Sequence, residues 1–285
     1  MEGRADLGTP GTAVSVDSTR GKGVEGAARS SPRRGQSDRG SAHGGAGGGE
    51  EGRDNGDRSF AIMFHVKHDT SSLESVLEDI SCRLSNAAVV NLSAGQRRSL
   101  AVFGSLLLQW ALPAGLTAFS TPSRVATHAL LDSLLAVPLL RQAENLTDLG
   151  TGAGIPGLPL AIALPDTHFT LVDTRRKAIS FVEYAIATIG LTNVSSLRAR
   201  VGRKAIPPSD AVVTRCAGAI HKIIPIALTG VSPGGILVAW VKTGFEVAEL
   251  TPVGMPSGQE ARTVDVSVAG HSRRLLVIRR PASEQ

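Results

Sequence analysis

Apolar residues recur at three- and four-residue intervals from about 71 to 141, and short apolar runs separated by helical segments follow. The first pattern predicts helices. Ser72–Ile80 carries it, and Ser93 with Gln96 has the form of a capping box opening a helix to about Leu112. Pro113 and Gly115 end that helix, and Thr121-Pro122-Ser123 starts another through Val125, Leu130, Leu131, Leu134 and Leu135 to near Pro138. The second pattern predicts strands at about 145–149, 168–173, 194–199, 210–215 and 236–242. Helices at 156–164, through Ala178–Ile189 with Gly190 as stop, and through Ile220–Leu228 fall between them. Pro233-Gly-Gly235 reads as a turn, and two late strands, about 263–268 and 273–279, read as an antiparallel edge pair. Such alternation builds a mostly parallel sheet covered on both faces, with ligand at the carboxyl ends of its strands. Asp148, Gly150, Asp173, Arg215 and Lys242 all fall at those ends.

Composition changes the picture at the N-terminus. Nearly half of the 32 glycines lie in residues 1–59, among Ser, Arg, Asp and Glu with few large apolar residues. Such a segment cannot bury enough surface to offset its ordering entropy, so residues 1–62 are expected to be a disordered extension. Its charges cancel, which leaves the net +5 to the remainder, a balance compatible with a phosphate-rich partner. Cys82 and Cys216 are far apart and lack metal-ligand spacing, so neither a disulfide framework nor a metal site is expected. No signal-peptide core and no run of membrane-spanning length is present, and a cytoplasmic monomer is the expectation. The organisation expected is a 1–62 extension, a helical lead-in over 63–141, and a ligand-binding domain over 142–285.

The chemistry centres on Asp148-Leu-Gly-Thr-Gly-Ala-Gly154, between the first strand and Pro156 at the next helix start. Gly150, Gly152 and Gly154 let the backbone bend and a ligand approach closely. A dinucleotide fingerprint would need glycine at 155, where this chain has Ile155. The pattern Asp-x-Gly-x-Gly-x-Gly is instead the turn seen in S-adenosylmethionine (SAM) methyltransferases. Asp173 ends the second strand about 20 residues on, where an acid can take two ribose hydroxyls. A glycine-rich turn without a nucleotide is the bland alternative. Asp148 fits a hydrogen bond to the turn or to the methionine moiety, or a purely structural role.

These segments, with Val212-Val-Thr-Arg215 and Val241-Lys242-Thr-Gly244, resemble the bacterial ribosomal RNA small-subunit methyltransferase G family, also called glucose-inhibited division protein B. Leu106-Leu-Leu-Gln-Trp110, Gly115-Leu-Thr117 and His128-Ala-Leu-Leu-Asp-Ser-Leu134 resemble its helical lead-in, and the last string is the most specific. The resemblance covers about 90–245 and, loosely, the C-terminus. It implies a Rossmann-like class I SAM-dependent α/β fold. It also implies transfer of a methyl group from SAM to N7 of a guanosine in the decoding region of 16S rRNA, free or in the small ribosomal subunit. The cofactor set so implied is Asp148, Gly150, Thr151, Gly152, Gly154, Pro156, Asp173, Arg200 and Arg215. By the same resemblance Arg215 and Lys242 face the active-site mouth as the expected catalytic pair, contacting an RNA phosphate or the base edge, with a surface salt bridge as the alternative. Arg124, His128, Arg175, Arg176, Lys177, Arg203 and Lys204 are the expected RNA contacts, with Phe245 or Trp240 as the nearby stacking candidates, Trp240 being the better core residue.

The chain departs from the family pattern at Gly115, usually Asn, at Thr127, usually Arg, and at Cys216, commonly Ala. Arg200 stands where an acid near the adenine is usual. Arg97 and Arg98 read as a solvated face. Met63-Phe-His-Val-Lys-His68 can be encoded by a palindrome similar to the DNA site of chromosome-partition proteins, which makes Met63 a candidate start. Methylation of a small molecule or protein, or a non-catalytic SAM-fold binding role, are the competing functions.

Overall fold

A computed structural model of the chain describes residues 71–200, 208–215, 220–253, 259–268 and 270–282. In the lead-in, α1 (Ser71–Asn86) buries Leu73, Leu77, Ile80 and Leu84, the stripe its spacing predicts. The capping box that opens α2 (Ala94–Leu106) is complete: Gln96 N donates to Ser93 Oγ at 3.2 Å, and Ser93 N to Gln96 Oε1 at 2.8 Å. A π-helical turn, Leu107–Ala111, extends α2. Thr121 caps α3 (Pro122–Arg124), which runs through a π-helical stretch (Val125–Leu131) into α4 (Asp132–Leu134). The π geometry sends the Asp132 N–H back to Thr127 O, five residues earlier. After α5 (Val137–Leu140) the sheet begins.

The strands are β1 (Asn145–Leu149), β2 (His168–Asp173), β3 (Val194–Arg198), β4 (Ser209–Thr214), β5 (Val231–Val241), β6 (Glu260–Val268) and β7 (His271–Arg279). Between them lie α6 (Gly157–Ala163), α7 (Arg176–Ile189) and α8 (Ile220–Thr229). The sheet order is β3-β2-β1-β4-β5-β7-β6, with only β7 reversed. This is the expected class I methyltransferase sheet. Strand order reverses between β1 and β4, and in open α/β sheets the ligand crevice lies at such a point. Leu149, Val172, Val212, Leu237 and Leu276 form its core. The Gln96 side chain donates to Ile162 O at 2.9 Å, which ties the start of α2 to α6.

One expectation about strands needs correction. The Pro233-Gly-Gly235 turn is a bulge inside β5, where pairing with β4 jumps from Ser209↔Val231 to Ala211↔Ile236. The late pair is the expected antiparallel edge pair, with β7 inserted between β5 and β6. Reversal has a consequence for the site: Arg274 lies opposite Val241, so β7 begins where β5 ends.

Candidate active site

The glycine turn is wound tightly. Gly150, Gly152 and Gly154 have φ of 78°, 58° and 78°, values that side chains other than glycine rarely adopt. Gly150 N and Thr151 N both donate to Val172 O, at 2.8 and 3.0 Å, and Gly154 N and Ile155 N donate to Thr151 O. Asp148 is fully buried beneath the turn. Its Oδ2 accepts from Thr151 Oγ1 at 2.7 Å and from Gly157 N at 2.9 Å. The opening N–H groups of α6 are therefore used internally, Gly157 on Asp148 and Leu158 on Gly154 O, rather than presented to a ligand. Gly157 is a site residue the sequence reading missed: a Cβ there would lie 2.6 Å from Asp148 Oδ2.

Asp148 Oδ1 is buried without a protein partner. Burial pushes the Asp148 carboxyl up to about 7, against the hydrogen bonds from Thr151 and Gly157. Asp173, at the end of β2, behaves oppositely. Burial works against its charge, but hydrogen bonds from the Arg175 side chain and backbone and from Gly152 N outweigh it and hold the carboxyl below its ordinary range. Gly152 N donates to Asp173 Oδ2 at 2.9 Å, and the Arg175 guanidinium reaches both carboxylate oxygens at 3.2 and 3.3 Å. Arg175 thus sits beside the glycine turn. Beyond Asp173 a cleft of about 590 Å³ is lined by Thr174, Arg198, Ala199 and Arg200.

A second cluster adjoins the first. Asp132, fully buried, accepts from Arg215 Nη2 at 3.0 Å, is ion-paired with Arg273 Nε at 2.9 Å, and bonds His271 Nε2. Its backbone carbonyl takes the Trp240 indole N–H at 3.0 Å. His128, one helical turn earlier, lies 3.9 Å from Asp132 Oδ2, and Arg273 Nη2 is 3.1 Å from its Nδ1. Burial lowers the pKa of Arg215, and its Nη1 is a second buried atom without a partner. Arg215 and Asp148 sit near enough for each to favour the other's charge. Asp132, His271 and Arg273 were not predicted. The one available signal was the His128–Asp132 spacing within the family-specific string.

His128, Asp132 and His271 bring three potential metal-ligand atoms within 4.8 Å of one another. Two guanidiniums already hold the same carboxylate, so the site repels a cation and favours an anion.

The remaining sequence candidates are scattered. Lys242 is exposed and paired with Glu249 at 3.1 Å. Arg124 is exposed in α3, and Arg176 and Lys177 are exposed at the start of α7. Phe245 is buried in the core, as is Trp240, which leaves neither ring free for stacking on a base. Residues 1–62 with Met63, and Arg203, Lys204 and Cys216, lie outside the described residues.

A family model described as rRNA small subunit methyltransferase G (GidB) matches residues 96–253. The ribosomal RNA small subunit methyltransferase G of Azoarcus sp. (strain BH72) is 37% identical over 215 residues, covering 72% of this chain and 99% of that protein. Its namesake from Anaeromyxobacter sp. (strain Fw109-5) is 37% identical over 169 residues, 58% of this chain and 77% of that protein. That of Actinobacillus pleuropneumoniae serotype 5b (strain L20) is 32% identical over 201 residues, 70% and 97% of the two chains. Glycine turn, acid-ended second strand and lead-in string all fall within the matched segment, and the chain belongs to the ribosomal RNA small subunit methyltransferase G family.

Proposed function

We propose that this chain transfers a methyl group from SAM to N7 of a guanosine in the decoding region of 16S rRNA. The observation that carries this reading is the pair of buried, unpartnered polar atoms, Asp148 Oδ1 and Arg215 Nη1, at the strand-order switch beside the Gly152–Asp173 turn. Buried polar groups without partners are costly, and a ligand with its own charges would satisfy them. The family's name supplies the substrate class.

SAM supplies an activated methyl group on a sulfonium. Residues Asp148, Gly150, Thr151, Gly152, Gly154, Pro156, Asp173, Arg200 and Arg215 would hold it: Asp173 through the ribose, the glycines by close backbone approach, Asp148 and Arg215 through the charged amino-acid end. Guanine N7 carries an exposed lone pair and no proton, so the chain has no base to provide. Its contribution is alignment, which can lower the barrier by several kcal/mol. Arg215 is part-buried with its guanidinium anchored on Asp132, and in this reading it orients the reactants at the mouth. Lys242 would act there only after leaving Glu249. Arg124, Arg176 and Lys177 are exposed and suited to RNA phosphates. Arg203 and Lys204 belong to the same proposed set of RNA contacts by their charge alone.

The partner is then 16S rRNA or the small ribosomal subunit, met in the cytoplasm by a monomer. Among the described residues no helix is long and apolar enough to cross a membrane. Mapping N7-methylguanosine in 16S rRNA from cells lacking the gene tests the proposal. One decoding-region guanosine should lose the modification and regain it with the intact gene. An unchanged map would favour a small-molecule or protein substrate.

A further inference from the structure

We propose that His128, His271 and Arg273 form a subsite for a backbone phosphate of the RNA, placed immediately outward of Arg215. The inference rests on the reading of the chain as an rRNA methyltransferase. It adds a recognition element contributed by β7.

The charge balance comes first. Two guanidiniums, Arg215 and Arg273, converge on a single carboxylate, Asp132. One positive charge is left over before either imidazole takes a proton. Exposure then rises outward from the buried carboxylate: 0% for the Asp132 side chain, 18% for His271, 20% for Arg215, 31% for Arg273 and 37% for His128. The cluster is thus rooted in the core and open on one side, which fixes its donors before a ligand arrives. Burial and the positive neighbours Arg273, His271 and Arg124 outweigh Asp132 and depress the His128 pKa. An anion held there would relieve that repulsion.

Arg273 is suited to the role by its bonds. Its Nε is paired with Asp132, its Nη2 lies on His128 Nδ1 and its Nη1 donates to Ser272 O at 2.9 Å, so the guanidinium plane is fixed while Nη1 and Nη2 each keep a second N–H for a ligand. A planar fork fixed in this way matches phosphate oxygens. Phe119, His128 and His271 form a row of rings with successive centroids 6.0 Å apart, beside which a splayed nucleotide can lie. Topology supplies the location: β7 starts where β5 ends, so His271 and Arg273 arrive at the carboxyl edge of the sheet with Arg215.

The test uses the full chain, a 16S rRNA transcript and SAM, with Arg273→Gln and Arg273→Lys variants. Removing one charge-assisted phosphate contact should weaken RNA binding about tenfold and reduce the slope of log affinity against log salt by about one. Arg273→Lys should restore the slope, and SAM affinity should stay within about twofold in both variants. Unchanged RNA affinity and slope in Arg273→Gln would overturn the subsite. So would a parallel loss of SAM affinity, because Arg273 would then act through Asp132 on Arg215 rather than on RNA. If the wild-type chain binds SAM but shows no salt-dependent RNA binding, the rRNA reading falls and the subsite with it.

Discussion

Arg215 and Asp132 stand 83 residues apart in the chain and 3.0 Å apart in space. That bond joins the end of β4, beside the cofactor turn, to the helical lead-in. Breaking a buried ion pair by removing one partner leaves the other charge without compensation, at about 3 kcal/mol or more. Asp132→Ala should therefore lower the urea midpoint substantially and weaken SAM binding through a displaced Arg215. Asp132→Asn, which keeps the shape, should be the milder of the two. A variant as stable as wild type would show that the cluster is not structural.

Asp148 makes the chain's pH response specific. Its carboxyl is raised to about 7 from an ordinary 3.8, so the folded protein holds a proton that the unfolded chain has released. A carboxyl raised in this direction favours the fold most below about pH 4, and the contribution is lost as pH climbs to about 7. Asp148→Asn should accordingly gain stability relative to wild type over that window, at most about 1.4 kcal/mol per pH unit, and no further above it. A cationic ligand end at Asp148 must displace the proton. SAM affinity should rise with pH up to about 7 in wild type and stay flat in Asp148→Asn, as calorimetry in two buffers would show. A pH-independent wild type would remove Asp148 from the cofactor contact.

Gly157→Ala tests the packing beneath the turn. The new methyl would meet Asp148 Oδ2 at 2.6 Å and Leu171 Cγ at 2.9 Å, both in the interior. Overpacking of this kind costs about 1–3 kcal/mol. Thermal unfolding should reveal the loss, accompanied by weaker SAM binding as Asp148 shifts.

Arg175 and Asp173 can be separated by substitution. The Arg175 side chain is half-exposed, so its ion pair with Asp173 is worth at most about 1 kcal/mol. If Asp173 takes ribose hydroxyls, Arg175 competes for its oxygens. Arg175→Ala should leave SAM affinity equal or up to about fivefold tighter, whereas Asp173→Ala should weaken it by tenfold or more. Loss of SAM affinity in Arg175→Ala would instead make Arg175 a cofactor ligand.

The meeting of the glycine turn with Asp173 was legible because its determinants are local. Gly150, Gly152 and Gly154 sit four residues or fewer apart, and Asp173 follows one strand-helix-strand unit later, so spacing alone places them together. The fate of the α6 N–H groups was not legible, since Asp148 competes for Gly157 N only once the turn has formed. The Asp132 cluster was hidden for a different reason. Its bonds to His271 and Arg215 span 139 and 83 residues, and they depend on β7 entering the sheet reversed between β5 and β6. A pair of late strands suggests a hairpin, but nothing in their pattern says which strand borders β5. Lys242 was placed by its position at a strand end, and its partner Glu249 belongs to a short 3-10 helix that periodicity does not resolve.

Methyl transfer to one guanosine N7 can be read out in a single reaction. The purified chain is incubated with methyl-labelled SAM and 16S rRNA, free and in the small subunit, and the label is mapped to nucleotide and atom. One N7-methylguanosine should appear in the decoding region, and none with Gly152→Arg, whose side chain would fill the space the cofactor needs at the turn. No label in RNA despite bound SAM, or label on another atom or base, would contradict the proposed transfer.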